Sequence, residues 1–141
     1  MGKKQVNLHL SHYMLWAAML HFPEDEFLVL EDDCKFNDDW KQKYDDARSV
    51  LPDDWGILYL GSCCAYDKPQ YCVGKNLYAV KFPLCTHSYS VRKKALPMML
   101  EKCMKVYAPV DIALALDVCP FVPTYTIIPR IADQYDTMLP P

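Results

Sequence analysis

Little in this chain directs it to a bilayer or to nucleic acid. No apolar run of its 141 residues reaches the roughly 20 needed to cross a membrane as a helix. The start, Met1 to Val6, lacks an apolar signal core, and Val6 breaks the myristoylation pattern after Gly2. Fifteen Lys and Arg against 18 Asp and Glu leave a net charge of −3. Such a balance supplies no basic footprint for a phosphate backbone. Internal repeats and low-complexity segments are also missing. The seven cysteines, Cys34, Cys63, Cys64, Cys72, Cys85, Cys103 and Cys119, contain no paired C-x-x-C. Cys63, Cys64 and Cys72 therefore make a poor zinc site. An odd count without a signal segment predicts free thiols in a reducing compartment, hence a cytoplasmic protein.

What is present is the composition of a single globular domain over residues 1–141. Hydrophobic content is 52% and charged content 23%, enough to build a core. The organising stretch is Phe27-Leu28-Val29-Leu30-Glu31-Asp32-Asp33. Four apolar residues read as a buried strand, and the acids sit where it leaves the sheet, the edge at which open α/β sheets bind ligands. Strand alternation predicts Glu31 and Asp33 on one face and Asp32 on the other. Two such carboxylates suit a hard cation, Mg²⁺ or Mn²⁺. A solvated acidic turn is the competing reading.

Residues 7–22 read as a helix, apolar nearly all round and so buried. His9, His12, Tyr13 and Trp16 form one stripe along it. The stripe lines a cleft or packs in the core with hydrogen-bonded histidines; spacing alone allows both. Pro23 stops the helix. A second helix is predicted over residues 39–51, with Trp40, Tyr44, Ala47 and Val50 inward, then a strand over 55–60 closed by Gly61. The helical crossover between strands 27–30 and 55–60 predicts that they pair in parallel. Residues 61–76 read as a long irregular loop. Strands follow at 77–82 and 86–91, the latter polar on both faces. A helix covers 92–104, with Pro97 in its first turn. Pro109-Val110-Asp111 opens a short helix with Asp111 at or near its N-cap. A last strand lies within 121–128, with Pro120, Pro123 and Pro129 predicting an edge position or irregular pairing, and the tail from Asp133 reads as loosely held.

The order of these pieces resembles glycosyltransferase family 25, the lipooligosaccharide and procollagen galactosyltransferase family. The matching residues are Leu10-Ser11-His12 in the first helix, Leu30-Glu31-Asp32-Asp33, the strand Asp54-Trp55-Gly56-Ile57-Leu58-Tyr59-Leu60-Gly61, Thr86-His87-Ser88-Tyr89-Ser90-Val91, and Val110-Asp111. The likeness runs over about residues 7–135. It implies a GT-A type, three-layer α/β domain with a mixed, mainly parallel sheet. It further implies transfer of a sugar from a nucleotide-sugar donor, such as UDP-galactose, to a glycan or protein hydroxyl. On this resemblance Glu31 and Asp33 hold Mn²⁺ or Mg²⁺, Asp32 touches the nucleotide sugar, and Asp111 is the catalytic base. His12, Thr86, His87 and Ser88 line the acceptor side or cleft. A plain helix cap remains the other reading of Asp111, and a structural role the other reading of His12. Family members begin with a further strand and helix that hold the nucleotide, whereas here the chain begins close to Ser11. The expectation is a truncated domain, with a catalytically inactive glycan- or protein-binding remnant as the alternative. The open edge would also allow a homodimer.

Overall fold

A computed structural model describes residues 1–63 and 71–135. The chain opens with α1 (Lys3–Met19), then β1 (Glu26–Leu30), β2 (Cys34–Phe36), α2 (Trp40–Val50) and β3 (Ile57–Tyr59). β4 (Tyr71–Gly74), β5 (Leu77–Ala79) and β6 (Ser88–Arg92) follow. A 3₁₀ turn (Lys93–Ala95) leads into α3 (Leu96–Lys102), with Pro97 in its first turn. α4 (Val110–Ala113) runs on into a π-helical stretch (Leu114–Val118), and β7 (Thr124–Ile127) and β8 (Ala132–Gln134) complete the order.

The main sheet has the strand order β1-β6-β3-β7-β5-β4. Among the described residues only β3 and β7 pair in parallel; every other neighbouring pair is antiparallel. The domain is mixed α/β, but the expectation of a mainly parallel sheet is corrected. The reason is specific. β1 and β3 do run in the same direction, as their helical crossover requires. β6, however, inserts between them and pairs antiparallel with both, from Glu26↔Arg92 to Leu30↔Ser88 on one side and from Ile57↔Val91 to Tyr59↔Tyr89 on the other. Insertion also explains the polar look of residues 86–91. Ser88 and Ser90 are buried by strand neighbours on both sides rather than by apolar side chains of their own.

β3 divides two cores by alternation. Ile57 and Tyr59 face α1, α3 and α4 with Trp16, Tyr89, Leu96, Met99 and Leu114. Leu58 and Leu60 face the other way, towards Ala47, Tyr44 and Val50 of α2 and Ile131. Helices therefore cover both faces. Four further expectations are corrected. α1 is not buried all round: His9, His12, Trp16 and Met19 are inside, but Leu8, Leu10, Met14, Leu15 and Leu20 are exposed. β7 lies inside the sheet, because its prolines fall outside Thr124–Ile127 and leave the ladder amides intact. The end of the predicted loop is a strand, β4, paired with β5; the rest of that loop from residue 64 to 70 lies outside the described residues. Part of the predicted loose tail is β8, which pairs with β2 (Phe36↔Ala132, Lys35↔Asp133, Cys34↔Gln134).

Candidate functional site

β1 ends at Leu30, and the chain turns at once, with the Cys34 amide donating to the Glu31 carbonyl at 3.1 Å. Because residues 31–33 form a turn and not a strand, alternation does not govern them. Glu31, Asp32 and Asp33 all line one cleft of about 600 Å³. The opposite wall is α1, through Lys4, Asn7, Leu8, Ser11, His12 and Leu15.

Glu31 is the best-held of the three acids. His12 Nε2 lies 3.0 Å from its Oε1, and Thr86 Oγ1 donates to the same oxygen at 2.6 Å. Burial raises the carboxyl's pKa, but the hydrogen bonds from His12 and Thr86 outweigh it and hold Glu31 below the ordinary carboxylate value. An ionised carboxylate only accepts, so His12 carries its proton on Nε2. On its other side His12 Nδ1 lies 2.8 Å from Tyr89 Oη, which also accepts from Trp16 Nε1 at 2.8 Å. Complete burial pushes the Tyr89 phenol well above its ordinary value, so it keeps its proton. A chain of bonds thus runs from the core indole to the rim carboxylate. The stripe on α1 serves both readings: His9 is tied to the Cys103 carbonyl at 2.8 Å as a packed histidine, and His12 reaches the cleft.

Asp33 is held differently. Its Oδ2 accepts from Gln134 Nε2 at 3.5 Å, while its buried Oδ1 has no hydrogen-bond partner among the described residues. Asp32 is exposed. Among the described residues no three His, Cys, Asp or Glu side chains gather as a ready-made metal cage. Mg²⁺ and Mn²⁺ do not need one where one or two carboxylates are completed by phosphate oxygens. The hard oxygens of Asp32 and the orphaned Asp33 Oδ1 fit such an ion; the Glu31 Oε1, already taken twice, fits it less well.

A second, smaller cleft of about 230 Å³ backs onto the first and shares Glu31 with it. It contains Asp111, Thr86, Cys85 and Gln134. Asp111 is the second residue of α4, not its cap, which is Pro109. Its carboxylate accepts from the Cys85 amide (3.1 Å) and the Ile112 amide (2.9 Å). Thr86 and Asp111 are therefore brought to Glu31. His87 and Ser88 line neither cleft. His87 is buried and donates from Nε2 to the Ala132 carbonyl at 2.9 Å, and Ser88 is buried beside the Cys34 thiol. Cys63 and Cys85 form a disulfide, which corrects the expectation of free thiols at these two positions and removes Cys63 from any zinc site. Cys34, Cys72, Cys103 and Cys119 are free. No helix among the described residues is long and apolar enough to cross a membrane.

Gln134, Cys85 and Tyr89 escaped sequence reasoning. Gln134 arrives on a three-residue strand, and Cys85 carries no local pattern. Tyr89 had one signal, a lone aromatic in an otherwise small and polar strand.

Comparison with known proteins bears on the whole of this face. The sequence profile of glycosyltransferase family 25 (LPS biosynthesis protein) matches residues 1–114, from α1 through both acidic positions. A glycosyltransferase 25 family member of Aedes aegypti is 30% identical over 114 residues, covering 76% of this chain and 18% of the relative. One of Anopheles gambiae is 27% identical over 115 residues, covering 76% and 19%. The chain thus spans about a fifth of the length of these relatives, and with its own greater part inside the profile, it belongs to glycosyltransferase family 25.

Proposed function

We propose that the two clefts sharing Glu31 form the working face of a GT-A-like glycosyltransferase, which moves a sugar from a nucleotide-sugar donor to a hydroxyl of a glycan or protein. The observation that carries this reading is the convergence of the acidic turn and Asp111 on either side of one carboxylate. In this reading Asp33 and Asp32 face the donor's diphosphate from the larger cleft, with Lys4 across from them. A bound Mn²⁺ or Mg²⁺ would supply neutralisation of the charge that develops on the leaving diphosphate. Glu31 stays ionised and fixes the turn through His12 and Thr86. Asp111, oriented by two backbone amides, takes the proton of the acceptor hydroxyl.

A second reading, a module that binds glycan or protein without turnover, draws on one observation. Glu31 Oε1 is saturated by His12 and Thr86, which lowers the number of carboxylate oxygens free for an ion.

Calorimetric titration of UDP-galactose with and without Mn²⁺, with other sugar nucleotides as controls, separates the two. Binding that needs Mn²⁺ and disappears in the Asp32→Ala/Asp33→Ala variant supports the transferase. A folded protein that binds no sugar nucleotide under either condition leaves the binding module.

A further inference from the structure

Cys85 has a backbone φ of +70°, in the left-handed region. A residue with a Cβ is unfavourable there, and such strain persists only where the surroundings impose it. Three features converge on it. Its side chain is bonded to Cys63, 22 residues earlier. The neighbouring Leu84 pairs with Cys63 through both backbone bonds, at 2.9 and 3.3 Å. Its amide donates to Asp111 Oδ2, and the next residue, Thr86, donates to Glu31 Oε1. Two consecutive residues therefore hold the two carboxylates that face the smaller cleft.

We infer that Cys85-Thr86, locked by the Cys63–Cys85 bond, is the positioning element that sets Glu31 and Asp111 relative to one another, and that Thr86 is a positioning residue for Glu31. Relaxation of Cys85 to negative φ, a rotation about its N–Cα bond, would swing Thr86 relative to the Cys85 amide, so that the bonds to Glu31 and Asp111 could not both be kept. The crosslink opposes that rotation. A role for Glu31 and Asp111 in sugar transfer rests on the function proposed above; the mechanical coupling does not.

The crosslink is opened with a small dithiol. The reagent's two electrons and two protons pass to the sulfurs of Cys63 and Cys85, the S–S bond breaks, two thiols form, and the reagent closes to its own disulfide. Amide hydrogen exchange is then followed residue by residue, with peptide mass mapping to show the bond present before and absent after. The expected result is exchange at Cys85 faster by about tenfold, the scale of one lost hydrogen bond, with Ile57, Leu58 and Tyr59 unchanged. In the second arm, UDP-galactose with Mn²⁺ is titrated into wild type, Thr86→Val and Thr86→Ser. The expected result is affinity about tenfold weaker in Thr86→Val and restored in Thr86→Ser, which keeps the donor. Unchanged Cys85 exchange after reduction, or no crosslink in the purified protein, overturns the coupling. Wild-type affinity in Thr86→Val overturns the positioning role. If wild type binds no sugar nucleotide, the functional reading fails and the exchange arm still decides the coupling.

Discussion

His12 Nε2 meets Glu31 Oε1 at 3.0 Å, joining the first helix to the end of the first strand across a sequence separation of 19. The contact is not an isolated surface ion pair. The His12 side chain is 4% exposed and that of Glu31 15%, and Thr86 and Tyr89 complete the bonding on either side. A carboxylate at a cleft rim is thereby fixed from the core outward.

Glu31→Gln should therefore cost stability in a pH-dependent way. Although burial raises the Glu31 carboxyl, the bonds from His12 and Thr86 bring it below its ordinary value of 4.5. The stability it contributes is full above the unfolded value and lost as pH falls through the folded one. The variant should be less stable by about 1–3 kcal/mol at neutral pH, the worth of bonds to a charged group. That gap should shrink below about pH 4. Urea unfolding of both proteins at the two pH values measures it, and a gap that widens in acid would contradict the assignment.

Tyr89 is the hinge of the buried chain. Tyr89→Phe leaves both Trp16 Nε1 and His12 Nδ1 without their partner at 0% and 4% exposed residues. The expected loss is about 2–4 kcal/mol, from two orphaned buried groups. Trp16→Phe removes the one bond to Tyr89 and leaves a cavity at a fully buried position, and the double variant should fall short of the sum by about 0.5 kcal/mol or more. Strict additivity in thermal or urea unfolding would show that the bonds do not act as a network.

Gly61 lies two residues past the end of β3, where the chain runs against the β2–β8 pair. A Cβ there would stand 2.0 Å from the Ala132 carbonyl oxygen and 2.5 Å from His87 Nε2. The first of these is backbone, held in the β2–β8 pair, and cannot swing aside. Gly61→Ala should cost about 3 kcal/mol or more and break the His87–Ala132 bond. A melting temperature within a degree of wild type would mean that the ribbon shifts freely.

Thiol chemistry should sort by burial. Among the free thiols of the described residues, Cys72 is exposed and should be alkylated first at neutral pH. Burial pushes the thiol of Cys103 up to about 12 and that of Cys119 up to about 11, so both stay protonated and unreactive until the chain unfolds. Cys63 and Cys85 should react only after reduction. Iodoacetamide labelling followed by peptide mass mapping tests the order; labelling of Cys103 in the native protein would overturn it.

Local patterns in the sequence determined where the elements lie. The apolar run before Glu31, the Trp55 to Leu60 run closed by Gly61, and the breaks at Pro23 and Pro52 fix β1, β3, α1 and α2 to within a few residues, because helix and strand periods and chain breakers act over short range. The acidic turn stood out as a run of three acids, whereas Asp111 was singled out by the resemblance to the family and by no local pattern beyond a helix start. Tertiary structure alone decided which strands are neighbours. Nothing within residues 86–91 shows that they will slide between β1 and β3, and that insertion makes the sheet mainly antiparallel. It also brings Thr86 and Tyr89 to Glu31 and His12, and the Cys63–Cys85 bond brings Asp111 to the same carboxylate's side through Cys85. These contacts join residues 22 to 77 positions apart, and pairing over such distances depends on the whole chain's closure and not on any local pattern.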